Sequence, residues 1–265
     1  VEWTVDLMVQ ESPPESAARA FRLWVVLPAY NEEGSIGPLL ESLLRELAAD
    51  NSDFVILVVN DGSTDRTAAI VHGYESTRRV RLIDQPANRG LAETVRTGLL
   101  AAVRQARPDD IVVVMDADNT HPAGLVFRMT RLIREGNDVV IASRYREGSH
   151  VRGLKFSRKA LSNGASWLFR AVFPTPGVRD YTCGYRAYRA GMLMQLVDRH
   201  GQEFISERGF ACMVDILLRL REQGAIFCEV PLVLRYDRKE GPSKMKVLAT
   251  VKETLALLVR RRLGR

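Results

Sequence analysis

Between residues 21 and 143 this chain repeats one pattern: a short run rich in Val, Ile and Leu, then a segment whose apolar positions recur at helical spacing. "FRLWVVLPAY" (21–30) reads as a strand, and Ile36, Leu39, Leu40, Leu43, Leu44 and Leu47 follow with a helical period after Gly34-Ser35. "DFVILVVN" (53–60) is the next strand. Its loop "DGSTD" offers Ser63, Thr64 or Asp65 as the N-cap of a helix reaching about residue 77. "RVRLID" (79–84), a helix over about 91–106, a strand from Ile111, a helix near 123–135 and "DVVIAS" (138–143) complete the series. Repeated βα units predict an α/β fold, a mostly parallel sheet with helices on both faces. Such sheets bind ligands at the carboxyl ends of their strands, which places the loops after Leu27, Val59 and Met115 on one rim.

The second half is less regular. A polar, basic loop follows Ser143, then a helix over 157–173, an extended piece over 181–190 and a helix over about 207–223. "AIFCEVPLVLRY" (225–236) reads as a strand interrupted at Pro231, and 244–262 as a closing helix. No linker separates independent domains. The expected division is an N-terminal extension (1–20), one α/β domain (21–247) and a C-terminal basic amphipathic helix (248–265).

Composition narrows the functional classes. Three Cys without C-x-x-C spacing suggest neither a disulfide framework nor a zinc site and fit a reducing, cytoplasmic setting. The chain contains no run of the ~18 apolar residues that a membrane helix needs, and its first residues lack the basic-then-apolar order of a signal peptide. It is not expected to span a membrane by itself. The net charge of +6 favours an anionic partner. Nucleic acid is disfavoured, because no basic stretch is interleaved with aromatic residues.

The rim loops carry the candidate chemistry. In "IVVVMDADNTHP" (111–122), Asp116 and Asp118 follow a buried-strand signal, and side chains two apart on an extended segment share a face. Two converging carboxylates destabilise a fold unless a cation or shared proton offsets their repulsion. Mg2+ or Mn2+ suits oxygen ligands and commonly joins one or two carboxylates to substrate phosphates, so the pair implies a phosphorylated substrate. His121, beside Pro122, reads as a turn or helix-start residue. Taken singly, "LPAYNEE" (27–33) and "NDGSTD" (60–65) read equally well as turns and caps, and "RKEGPSK" (238–244) as an exposed basic turn. The haloacid dehalogenase-like phosphatases also place D-x-D-x-T after apolar residues, the first Asp serving as nucleophile. Those enzymes usually open their sheet with that strand, whereas three βα units precede it here.

The ordered set "LPAYNEE", "NDGSTD", "NRGLAETVRTG" (88–98), "MDADNTHP" and "ASRYREGS" (142–149) resembles the family 2 glycosyltransferases of GT-A fold, and within them the dolichyl- and polyprenyl-phosphate mannose synthases. "DYTCGYRAYR" (180–189) and "RKEGPSK" are similar to later motifs of the family. The resemblance runs from about residue 23 to 247. It implies a metal-dependent, inverting hexosyltransferase, with GDP-mannose as donor and a polyprenyl or dolichyl phosphate as acceptor. The nucleotide-sugar half would span about 21–143 and the acceptor half about 144–247. By resemblance, Pro28, Tyr30 and Glu32 cradle base and ribose, Asp61 adds a nucleotide contact, Asp116 faces the ribose or sugar and Asp118 holds the metal. Thr120 stands near the donor sugar. Arg144, Arg158 and Ser162 bind the acceptor phosphate, where a planar guanidinium can donate paired hydrogen bonds. Arg238 and Lys244 offset the charge of the departing diphosphate.

In the last helix Leu248, Val251, Leu255, Leu258 and Val259 share one side among Lys246, Lys252 and "RRRLGR", a pattern suited to an anionic membrane surface or a membrane-protein partner, or to packing on the protein itself. A soluble sugar or natural-product acceptor, and a nucleotide-sugar binding protein without turnover, remain open at this point.

Overall fold

The computed structural model describes residues 21–50, 52–153 and 168–238. The N-terminal extension, the segment holding Arg158 and Ser162, and the closing helix with Lys244 lie outside them, as does the side chain of Arg238. The expected βα series is present: β1 (Arg22–Ala29), α1 (Ile36–Ala49), β2 (Asp53–Asn60), α2 (Thr67–Tyr74), β3 (Val80–Asp84), α3 (Leu91–Val103), β4 (Ile111–Val114), α4 (Leu125–Arg134) and β5 (Val139–Ser143). The remainder comprises β6 (His150–Arg152), α5 (described over 168–172), β7 (Arg186–Arg189), α6 (Ala190–His200), α7 (Ala211–Glu222), β8 (Phe227–Pro231) and β9 (Val233–Arg235).

Seven strands form one sheet in the order β3-β2-β1-β4-β7-β5-β8, and β6 pairs with β9 beside it. All neighbours in the large sheet run parallel except β7, which is antiparallel to both β4 and β5. Strand order reverses between β1 and β4, the place where an open α/β sheet leaves a crevice at its carboxyl edge. The central strands are buried on both faces, as near-continuous apolar runs require: Leu23–Leu27 of β1 and all four residues of β4 are at most 2% exposed.

Helix packing follows the sequence periods. α1 buries Ile36, Leu39, Leu40, Leu43 and Leu47, five of the six positions picked out by its spacing. α3 lies so close to the sheet that a Cβ on Gly98 would press into Val26 and Val59. No helix among the described residues is long and apolar enough to cross a membrane.

Two differences from the sequence reading matter for the site. The piece expected to be extended over 181–190 becomes a strand only at Arg186, and α6 follows at once, where no helix was expected. β4 ends at Val114, two residues before Asp116, so the aspartates stand in a bent loop and the shared-face argument from strand alternation does not apply. The described cysteines, Cys183, Cys212 and Cys228, are free.

Candidate active site

The loop after β4 folds around its second acid, Asp118. Asn119 adopts a left-handed backbone, φ 57°, which turns the chain so that Asp118 Oδ1 accepts from Thr120 N at 3.2 Å and from Thr120 Oγ1 at 2.7 Å. Asp118 is 8% exposed and Asp116 half-buried. Asp116 N donates to His121 Nδ1 at 3.4 Å, which leaves the proton of a neutral imidazole on Nε2. His121 is therefore a buried brace of this loop, its ring centroid 4.9 Å from that of Tyr185. Tyr185 Oη donates to Pro122 O at 3.1 Å, and burial pushes its phenol up, so it stays a donor at ordinary pH.

Gly184 faces this loop from the segment before β7. A Cβ there would stand 3.4 Å from Asp116 Oδ1, so glycine leaves clearance beside the carboxylate. On the other side Arg235 N donates to Thr120 O at 3.0 Å, which brings the chain leading to Arg238 against the acidic loop. Two carboxylates and a hydroxyl in one short loop make an oxygen-only donor set of the kind that fits a hard divalent ion. Among the described residues no three His, Cys, Asp or Glu side chains form a metal cluster by themselves, so such an ion would complete its shell with substrate oxygens.

The loops after β1 and β2 are fastened together. Asp61 N donates to Ala29 O at 2.8 Å, Glu32 N to Thr67 Oγ1 at 2.8 Å and Glu33 N to Asp65 Oδ2 at 3.1 Å. Asp65, one of the three offered caps, accepts from Thr67 N at 2.9 Å and so takes a donor at the start of α2. Pro28, Tyr30 and Glu32 are half-buried along this rim. Asp61 is different from its sequence reading in one respect. It is 3% exposed, and its two oxygens accept from Arg89 N at 2.7 Å and Gly90 N at 3.0 Å, stapling the third rim loop ahead of α3.

Arg144 follows β5 directly. Its Nε and Nη2 donate to the two oxygens of Asp180 at 2.8 and 2.7 Å, and Nη2 also reaches Thr182 Oγ1 at 2.7 Å. Burial would raise the Asp180 carboxyl, but the guanidinium outweighs it and holds that carboxyl below its usual range. The Arg144 side chain keeps 22% exposure, with Nε and Nη2 committed to Asp180. Asp180 is held in turn by Glu229, whose Oε1 accepts from Arg179 N and Asp180 N, both at 2.6 Å.

Sequence reasoning did not single out Glu229, read Asn31 only as a cap after the first strand, and placed Asp180 and Arg186 in a family-like motif without giving either a role. Arg186 is fully buried and donates to the carbonyls of Tyr181 and Cys183 at 2.7 and 2.8 Å and to that of Met213, tying the Gly184 segment to α7. A charged residue inside an apolar strand signal, immediately after Gly184-Tyr185, was the clue available.

The comparisons agree with this architecture. Glycosyl transferase family 2 matches residues 24–197. The chain is 30% identical over 223 residues to a dolichol-phosphate mannosyltransferase of Pyrococcus furiosus, covering 84% of this chain but only 58% of that relative's length. It is 29% identical over 234 residues to a polyprenol monophosphomannose synthase of Mycolicibacterium smegmatis, covering 88% and 84% of the two chains. Glucosyl-3-phosphoglycerate synthase from Mycobacterium tuberculosis, solved with Mn2+, UDP and phosphoglyceric acid, shares the fold with a TM-score of 0.65 at 22% identity over 92% of this chain and 79% of that one. The same synthase with Mg2+ and UDP gives 0.64 at 23% identity, over 92% and 80%. With a matching family, a matching fold and an acidic loop at the switch point of its sheet, the chain belongs to glycosyl transferase family 2 and is a glycosyltransferase of GT-A architecture.

Proposed function

We propose that this glycosyltransferase moves a hexose, mannose from GDP-mannose, onto the phosphate of a polyprenyl or dolichyl lipid with inversion at the anomeric carbon. The observation that carries the reading is the bent loop of Asp116 and Asp118 at the β1/β4 crevice, flanked by Gly184 and abutted by the chain leading to Arg238. The names of the two sequence relatives support the donor and acceptor.

On this reading residues 21–143 hold the donor and 144–247 the acceptor. Pro28, Tyr30 and Glu32 line the base and ribose. Asp61 sets the loop beside them. Thr120 holds Asp118 in place near the donor sugar, and Asp118, with Asp116, would hold Mg2+ or Mn2+. Bound there, the ion would supply Lewis-acid stabilisation of the diphosphate. Arg144 would donate to the acceptor phosphate, aided by Arg158 and Ser162. A phosphate oxygen forms the new bond to the anomeric carbon as the bond to the diphosphate breaks, and the electron pair leaves on the nucleoside diphosphate. A phosphate monoester is ionised near neutral pH, so it needs no strong general base. Arg238 and Lys244 offset the charge on the leaving group, the kind of preorganised stabilisation that usually dominates such catalysis. A lipid acceptor places the protein at the cytoplasmic face of a membrane, with 248–265 as the contact with anionic lipid or a membrane-protein partner.

The test is partition of radiolabel. Incubation with labelled GDP-mannose, Mn2+ and polyprenyl phosphate is expected to move label into the organic phase. Label that stays aqueous with every polyprenyl phosphate, yet transfers to a soluble acceptor, overturns the lipid assignment. Asp118→Ala is expected to lower turnover about a thousandfold or more, since a Lewis acid contributes several kcal/mol to such transfers. Undiminished transfer by the folded variant overturns the metal assignment.

A further inference from the structure

Only three non-glycine residues among those described have a left-handed backbone, and two stand in the rim loops: Asn119, beside Asp118, and Asn31, at φ 51° between Tyr30 and Glu32. Residues with a Cβ avoid this region, and Asn tolerates it better than most. Asn31 is also one of the points where the loops after β1 and β2 are joined, and it bonds through both its backbone and its side chain. Its N–H donates to Ser63 Oγ at 2.8 Å, and its side-chain Oδ1 accepts from Thr64 N at 2.8 Å. Ser63 Oγ donates onward to Asn60 Oδ1, and Asn60 Nδ2 to Asp84 Oδ1 at 2.7 Å, so the seam runs from the end of β1 across β2 to the end of β3.

None of these bonds is needed to pair the strands. β1 and β2 are in register up to Ala29 and Asn60 without them. What they fix is the direction of the chain immediately beyond the strand, and therefore where Tyr30 and Glu32 are carried. We propose that Asn31 is a positioning residue for the nucleotide, which holds the loops after β1 and β2 in one arrangement before a nucleoside diphosphate arrives. This rests on the reading of Pro28, Tyr30 and Glu32 as the nucleotide cradle. Without the latch, residues 30–32 populate other conformations, and apparent affinity falls by the fraction that remains competent.

The two parts of the device can be separated by substitution. Asn31→Asp keeps an acceptor and tolerates the left-handed backbone. Asn31→Gly keeps the backbone and loses the bond to Thr64. Asn31→Ala loses both. Binding of UDP and of GDP, each with Mn2+, is measured by titration calorimetry for the unsubstituted protein and the three variants, with melting temperature recorded alongside. The expected order is Asp within about twofold of the unsubstituted protein, Gly weaker by about three- to tenfold and Ala by about ten- to a hundredfold, from loss of one hydrogen bond and then of backbone compatibility as well. Ser63→Ala, which removes the other half of the seam, is expected to resemble Gly.

Equal affinities across the set overturn the inference. So does a loss in Asn31→Asp as large as that in Asn31→Ala, or a loss that only tracks a fall in melting temperature. If the unsubstituted protein binds neither nucleotide with Mn2+, the nucleotide reading itself is overturned, a result distinct from any difference among the variants.

Discussion

At Glu229 one carboxylate oxygen accepts two backbone N–H groups, and the other is buried with no hydrogen-bond partner among the described residues. Burial raises its pKa from 4.5, and the nearby Asp180 charge adds to the shift. The folded protein therefore holds this proton more tightly than the unfolded chain does. Its stabilising contribution is present below pH 4.5 and is lost as pH climbs through the raised folded value. Asp180 works in reverse: its contribution is present above pH 3.8 and is lost as acid takes the pH down through its lowered value. Glu229→Gln keeps the acceptor for the two N–H groups and removes the titration. The melting temperature of this variant relative to the unsubstituted protein is expected to rise with pH from about 4.5 upward, and a flat difference between pH 4 and 8 refutes the assignment. At this scale the acidic pair stood out because its residue types imply chemistry directly, and Arg144 through the resemblance of its motif. Asp180, Glu229 and Arg186 did not, since their importance lies in which backbone groups they meet, and those come from distant parts of the chain.

Among the elements, the βα series was legible because each strand is a dense apolar run and each helix carries a clear period. Gly98 shows how the packing tightens beyond what periodicity reveals. Gly98→Ala inserts a methyl against Val26, a stiff β-branched side chain on a central strand, so the sheet or α3 must shift. Overpacking of this kind costs about 1–3 kcal/mol, and thermal denaturation is expected to show a fall of about 2–10 °C. No change in melting temperature would mean that α3 stands further off. β7 and α6 were missed for a local reason. β7 has four residues, and Gly191 in the first turn of α6 weakens its helical signal. That glycine is explained only by the fold, because a Cβ there would lie 3.2 Å from Pro108 O.

For the whole molecule, the rim is stapled from β1 to β3 and the acidic loop is braced by His121 with no ligand needed to hold them, and the proposed function makes this a preformed donor site. A ligand that binds only the folded state stabilises it by mass action. Mn2+ with GDP at a hundred times its Kd is expected to add about 2.7 kcal/mol, a rise of roughly 5–10 °C in melting temperature. EDTA should remove most of that shift, and a shift that survives chelation would separate nucleotide binding from the metal. The fold of residues 21–143 was readable from the sequence because its loops follow regular strands. The part after Ser143 was not, because its polar segments carry no period and their placement depends on the reversed β7.

That reversal has a further consequence. Ile141 of β5 pairs with Arg186 of β7, and Ala142 N donates to Tyr185 O at 3.0 Å, so residues 144–185 leave and rejoin the sheet at neighbouring points. The returning end is also the part that meets the acidic loop, through Gly184 beside Asp116 and Tyr185 on Pro122 O, so a substitution near residue 185 is expected to be felt at both places.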